Sequence, residues 1–144
     1  MGKVRDILKS KGPSAIVFSV DQGIMVFQAI EQMSEKNIGG LLIVENAKLI
    51  GIFTERDYAR KLILKGKSSK ETPIGELMTK NPFTVNSDST IEECMTMMTD
   101  KHIRHLPVVD GDKLTGVISI GDVVKQIIQD QKSIIEHLEQ YITQ

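Results

Sequence analysis

The segment Leu49-Ile50-Gly51-Ile52-Phe53-Thr54-Glu55-Arg56-Asp57 returns 65 residues later as Leu114-Thr115-Gly116-Val117-Ile118-Ser119-Ile120-Gly121-Asp122. Each copy runs from an apolar stretch broken by one glycine into a hydroxyl residue and then an acid. That is the pattern of a strand delivering its end to a helix start. Overlaid without a gap, residues 18–57 and 83–122 agree at Phe18/Phe83, Val20/Val85, Met33/Met98, Ile38/Ile103, Leu41/Leu106, Val44/Val109, Leu49/Leu114, Gly51/Gly116 and Asp57/Asp122. Most of these fall on expected core faces. Shared core positions at a constant offset require a shared fold, so the chain reads as a tandem β-α-β-β-α repeat of the α+β (mixed α/β) class.

Taken in order, Val4, Ile7 and Leu8 mark a leading helix over 1–10 that Gly12 and Pro13 end. Residues 16–20 alternate into a strand, and Val26, Ala29, Ile30 and Met33 repeat at helical spacing to Lys36. Asn37-Ile38-Gly39-Gly40 breaks that helix. Leu41 to Val44 and Leu49 to Phe53 read as a hairpin, followed by a helix from Glu55 to about Lys65. The polar stretch 66–70 is an exposed linker, and a short helix over 74–78 stops before Pro82. The second unit repeats the order. Phe83 to Val85 is its first strand, Ser89-Thr90-Ile91-Glu92 a capping box, and Ile91, Cys94, Met95 and Met98 a buried helical face. Leu106 to Val109 and Lys113 to Ile118 form its hairpin around Asp110-Gly111-Asp112. The expected division is 1–72, a first domain with its leading helix; 73–129, a second; and 130–144, a helical extension. Its apolar stripe, Ile127 to Ile142, either closes the chain's own core or meets another subunit.

A chain of 144 residues can bury a core without disulfides. Its one cysteine has no intrachain partner, and no signal peptide or apolar run of about 18 residues is present, so a cytoplasmic protein off the membrane is expected. A net charge of −1 with no Trp argues against a nucleic-acid binder, which needs a basic surface or stacking aromatics. Cys94 on an apolar face reads as core, and the histidines lack the spacing of a metal site. No Ser-His-Asp set and no Gly-rich phosphate loop is apparent.

With its repeat and two Gly-x-x-[Thr/Ser]-x-x-Asp phrases, the chain resembles a stand-alone pair of CBS domains, the module named after cystathionine β-synthase. His102-Ile103-Arg104-His105-Leu106-Pro107-Val108-Val109 and Gly116 to Asp122 follow the family pattern, and Gly51 to Tyr58 is similar to small bacterial CBS pairs. The resemblance implies two units packed sheet to sheet about a pseudo-two-fold axis, with two clefts that take adenosine compounds such as AMP, ADP, ATP, NAD or S-adenosylmethionine. Carried onto this sequence, it assigns ligand-binding positions to Ser19, Val20, Gly39, Gly40, Thr54, Arg56 and Asp57 in the first repeat. In the second it assigns Thr84, Val85, Arg104, His105, Pro107, Ser119 and Asp122. It further implies that the Asp holds the ribose, the Thr or Ser helps with phosphate, and the opposite repeat supplies the adenine slot and further donors.

The chemistry of those residues is compatible. A carboxylate accepts from both ribose hydroxyls, and a guanidinium grips phosphate in two places. Thr54-x-x-Asp57 and Ser119-x-x-Asp122 are also ordinary helix caps, and the two roles can coexist. Arg104 and His105 align with Gly39 and Gly40, so the clefts are chemically unequal. If each Asp works with the opposite repeat's pair, Asp57 joins Arg104 and His105 and makes the stronger phosphate site. On this reading Asp57→Asn changes the empty fold little and removes most of the stabilisation that AMP confers, with a weaker version at Asp122. The expected function is a non-enzymatic adenosine-nucleotide sensor, a homodimer acting on a separate partner protein. A structural dimerisation module with vestigial clefts and a nucleotide-processing enzyme are the alternatives.

Overall fold

The computed structural model describes residues 2–12 and 18–143. The first repeat contributes β1 (Ser19–Val20), α2 (Val26–Lys36), β2 (Gly40–Glu45), β3 (Lys48–Thr54) and α3 (Glu55–Asp57), preceded in the chain by α1 (Val4–Lys11). After α3 come α4 (Ile74–Leu77) and β4 (Thr79–Lys80). The second repeat supplies α5 (Ile91–Lys101), β5 (His105–Asp110), β6 (Lys113–Ser119) and α6 (Ile120–Thr143). Of the expected first strand, residues 16 and 17 lie outside the described residues, as does Pro13 after α1.

In the first unit the sheet order is β1-β2-β3-β4. β1 is parallel to β2, β2 and β3 are antiparallel with Gly40 opposite Thr54, and β4 pairs with β3 through Gly51 and Ile52. Val26, Ala29 and Met33 of α2 pack with Leu41, Ile43 and Phe53 in one buried cluster. The helix ends where the spacing says, at Asn37 in the left-handed region; α5 ends likewise at His102, the same position of its repeat. Between β2 and β3 both Asn46 and Ala47 take positive φ, 51° and 64°, the combination a two-residue hairpin turn demands. Alanine pays for that conformation in Cβ crowding. Since Ala47 is exposed, Ala47→Gly should raise unfolding free energy by about 1 kcal/mol, read from the denaturant midpoint at unchanged slope.

Three sequence expectations shift. The helix expected over 55–65 is α-helical only to Asp57, and Tyr58–Ile63 is a π-helix. Asp57 and Leu62, five residues apart, are both buried. Only a turn wider than the α-helix puts them on one face. The strand expected over 83–85 reduces to one parallel bridge, Val85 with Val108, because Asn81 at φ 50° and Pro82 bring the chain alongside β5 only at Val85. The cap of α5 is Thr90, whose Oγ1 accepts the Glu93 N–H at 3.1 Å, while Ser89 Oγ accepts the Asn86 N–H. The helix therefore caps one residue later than the expected Ser89.

The second unit takes in α1. Val4 and Ile7 lie in one cluster with Val85, Ile91, Cys94, Met98, Leu106, Val108, Ile118 and Val123. The Val4 and Arg5 N–H groups donate to the Ser89 and Ser87 carbonyls, as those of Ile74 and Gly75 donate to Ile24 and Gln22 in the first unit. The leading segment of each repeat is thus seated on the other repeat's strand-to-helix loop. By contacts the chain divides accordingly, with α1 grouped with 84–110 and 115–144 and the first unit formed by described residues 18–83 with Gly111–Leu114. The two repeat glycines make room for these segments. A Cβ on Gly51 would lie 2.5 Å from Met78 Sδ and 3.0 Å from the Thr79 carbonyl, and one on Gly116 would lie 2.7 Å from a Leu8 methyl.

α6 closes the second core through Val123, buried, and Ile127, partly buried. Asp130 bonds the Gly2 N–H and the Gln126 amide. From residue 131 to 143 every position is exposed. Of the two expectations for the apolar stripe, core closure holds at Ile127 and not beyond Asp130.

Candidate functional site at two strand-to-helix corners

In the first unit Thr54 ends β3 and caps α3. Asp57 Oδ2 accepts from the Thr54 N–H at 3.0 Å and from Thr54 Oγ1 at 3.2 Å, and the Asp57 N–H donates back to Thr54 Oγ1. Its other oxygen, Oδ1, accepts from Thr79 Oγ1 at 3.2 Å and pairs with Lys61 Nζ at 3.0 Å. Lys61 also reaches the Leu77 carbonyl. A carboxylate offers about four acceptor positions, and all four are taken by the chain itself. With a side chain only 10% exposed, Asp57 is built into the fold as a cap.

The second corner is more open. Asp122 Oδ2 accepts from the Ser119 N–H at 2.9 Å and from Lys11 Nζ at 3.0 Å, and the Asp122 N–H donates to Ser119 Oγ. Among the described residues Oδ1 has no partner, and the side chain is 23% exposed. Lys11 Nζ also donates to the Val117 carbonyl, so the last residue of α1 is fixed across the end of β6.

The pre-strand residues stand at the same corners. The Gly39 carbonyl accepts the Glu55 N–H at 3.1 Å and the Arg104 carbonyl accepts the Ile120 N–H at 2.9 Å, at equivalent positions of the two repeats. Gly40 opens β2, half-buried His105 opens β5, and Arg56 is exposed on α3. Ser19 and Val20 form β1 against Leu42 and Ile43. Exposed Thr84 precedes buried Val85, whose N–H donates to the buried Pro107's carbonyl at 3.0 Å. Arg104 lines an open groove of about 580 Å³ with Ile120, Gly121, Val124, Lys125 and Ile128. Two cations over an apolar floor suit a ligand that is flat or aliphatic on one side and anionic on the other.

Sequence reasoning missed Lys61, Thr79, Lys11 and Lys125. Lys61 was visible as an i,i+4 partner of Asp57, and Lys125 stands three residues beyond Asp122 on the same helix. Thr79 and Lys11 arrive from segments whose place depends on the exchange of leading segments, and no local pattern announces them. Burial pushes the Cys94 thiol up to about 11, with Glu93 adding to it. A thiol kept neutral in an apolar cluster is core, as its helical position implied.

The CBS-domain family model matches residues 4–64 and 74–129. A CBS domain-containing protein of Arabidopsis thaliana, CBSX3, named as mitochondrial, is 38% identical over 96% of this chain and 71% of its own length. A putative signal-transduction protein with CBS domains from Burkholderia ambifaria superposes with a TM-score of 0.86 at 47% identity, covering 90% of this chain and 96% of that one. The CBS domain pair of protein MJ0100, solved with 5′-methylthioadenosine and S-adenosyl-L-methionine, superposes at 0.78 with 27% identity over 90% and 98%. The chain belongs to the CBS-domain family and consists of a tandem CBS pair. No helix among its described residues is long and apolar enough to cross a membrane.

Proposed function

We propose that this CBS pair is a cytoplasmic, non-enzymatic sensor that binds an adenosine nucleotide such as AMP, ADP, ATP or NAD and, as a homodimer, transmits its occupancy to a partner protein. The observation that carries the reading is an aspartate held by its own cap at the same strand-to-helix corner of both repeats. In a chain whose relative MJ0100 is solved with two adenosyl compounds, those corners are where a ribose would be taken. Asp122 and Asp57 are proposed to receive the ribose hydroxyls, with Ser119 and Thr54 beside them. Ser19, Val20, Thr84, Val85 and Pro107 are proposed as walls for the base. Gly39 and Gly40 permit close backbone approach, and Arg56, Arg104 and His105 are proposed as phosphate donors.

Mass spectrometry of small molecules released from the purified protein tests the class directly. An adenylate is expected. Its absence, together with no AMP, ATP or NAD binding at millimolar concentration, would favour a structural dimerisation module, and sustained turnover of ATP with magnesium would favour an enzyme. The phosphate assignment has its own test. Arg104→Ala should weaken AMP by about 1.5–3 kcal/mol, the usual worth of a charged hydrogen bond, and leave adenosine nearly unaffected. Equal losses for both ligands in titration calorimetry would remove Arg104 from the phosphate role.

A further inference from the structure

Beyond Asp130, which bonds the Gly2 N–H, α6 carries Ile134, Ile135, Leu138, Tyr141 and Ile142, all exposed. An isolated helix of this length is marginal in water, so thirteen exposed helical residues with this much apolar surface call for a cover. The stripe is continuous with Ile120, Val124 and Ile128, the apolar floor of the Arg104 groove. Within it Gln131, Ile134, Leu138 and Tyr141 recur at spacings of three, four and three, which is a coiled-coil seam, and Ile128, Ile135 and Ile142 widen one side of it.

We propose that two copies of this chain pair through the overhang as antiparallel helices whose midpoint is Glu136. The proposal deepens the homodimer reading and rests on it. In this register Gln131 lies opposite Tyr141 of the second copy, so the two polar groups of the seam meet, amide against phenol, and bury each other satisfied. Ile134 lies opposite Leu138 of the second copy. On the flank of the seam Ile135 comes within two residues of the level of Ile135 of the second copy, so the widened apolar side of the stripe is covered as well. The layers from Gln131 to Tyr141 also use the whole overhang, and the pairing stops at Asp130, which bonds the Gly2 N–H of its own chain.

A parallel pair is poorer on the same page. It sets Gln131 against itself and Tyr141 against itself.

Sedimentation equilibrium of the full chain and of a chain ending at Lys132 separates the two levels of the claim. Removing the seam should weaken self-association at least about a hundredfold, since two buried aliphatic side chains are worth that much. An unchanged dimer in the shortened chain would keep the homodimer and overturn this seam, and a monomeric full chain would overturn both. Direction is read by disulfide formation. Ile134→Cys mixed with Leu138→Cys should cross-link rapidly, while neither variant alone cross-links to itself; the native Cys94 is buried and does not compete. Self-cross-linking of each single variant would show a parallel pair.

Discussion

Asp57→Ala is expected to lower the unfolding free energy of the ligand-free protein by about 3 kcal/mol, the sum of a lost cap and a lost hydrogen bond in a mostly buried place. The carboxylate holds the Thr54 N–H and hydroxyl on one oxygen and the Thr79 hydroxyl on the other. Its removal orphans the first turn of α3 and loosens β4, which carries Thr79, from the end of β3. The Lys61 pair adds little to the total, because that lysine is 40% exposed and such pairs are worth little in water. Asp122→Ala should cost about 1–2 kcal/mol, a cap together with the partly buried Lys11 pair. Chemical denaturation of both variants without ligand checks the ratio. Equal losses would mean that Thr79 contributes nothing to Asp57. The expectation from sequence, that the empty fold is indifferent to Asp57, does not survive these contacts.

What the sequence made legible was whatever depends on one repeat at a time. The helix from Val26 to Lys36, the hairpins and the two Asp corners follow from periodicity and caps, because each is decided by neighbours within a few residues. The π-helix after Asp57 was not legible, since apolar spacing over six residues cannot separate a turn of 3.6 from a wider one. Nor was the exchange of leading segments. Val4 and Ile74 head segments of similar pattern, and nothing local says which repeat each will cover. That exchange decides the chemistry of the corners. It brings Thr79 to Asp57 and Lys11 to Asp122. Two aspartates identical in the alignment therefore differ in how many acceptor positions they keep open.

Asp122→Asn should remove most of the stabilisation that AMP confers while leaving the ligand-free protein close to wild type. At a ligand concentration a hundred times the dissociation constant, binding stabilises the native state by about 2.7 kcal/mol through mass action. A ribose needs carboxylate oxygen that the protein does not use, and Asp122 Oδ1 offers it, whereas each oxygen of Asp57 already has two partners. A ligand at Asp57 must first displace Lys61 or Thr79, which subtracts from its affinity. The geometry thus argues for the order opposite to the one expected from Arg104 and His105 alone. Asp57→Asn should lower the ligand-free melting temperature and keep most of the AMP-induced shift, and Asp122→Asn should do the reverse. Melting curves of both variants, with and without saturating AMP, read the four quantities at once. A shift lost at Asp57 and kept at Asp122 would restore the sequence-based order, and a shift intact in both would sink the proposed ribose role of the corners.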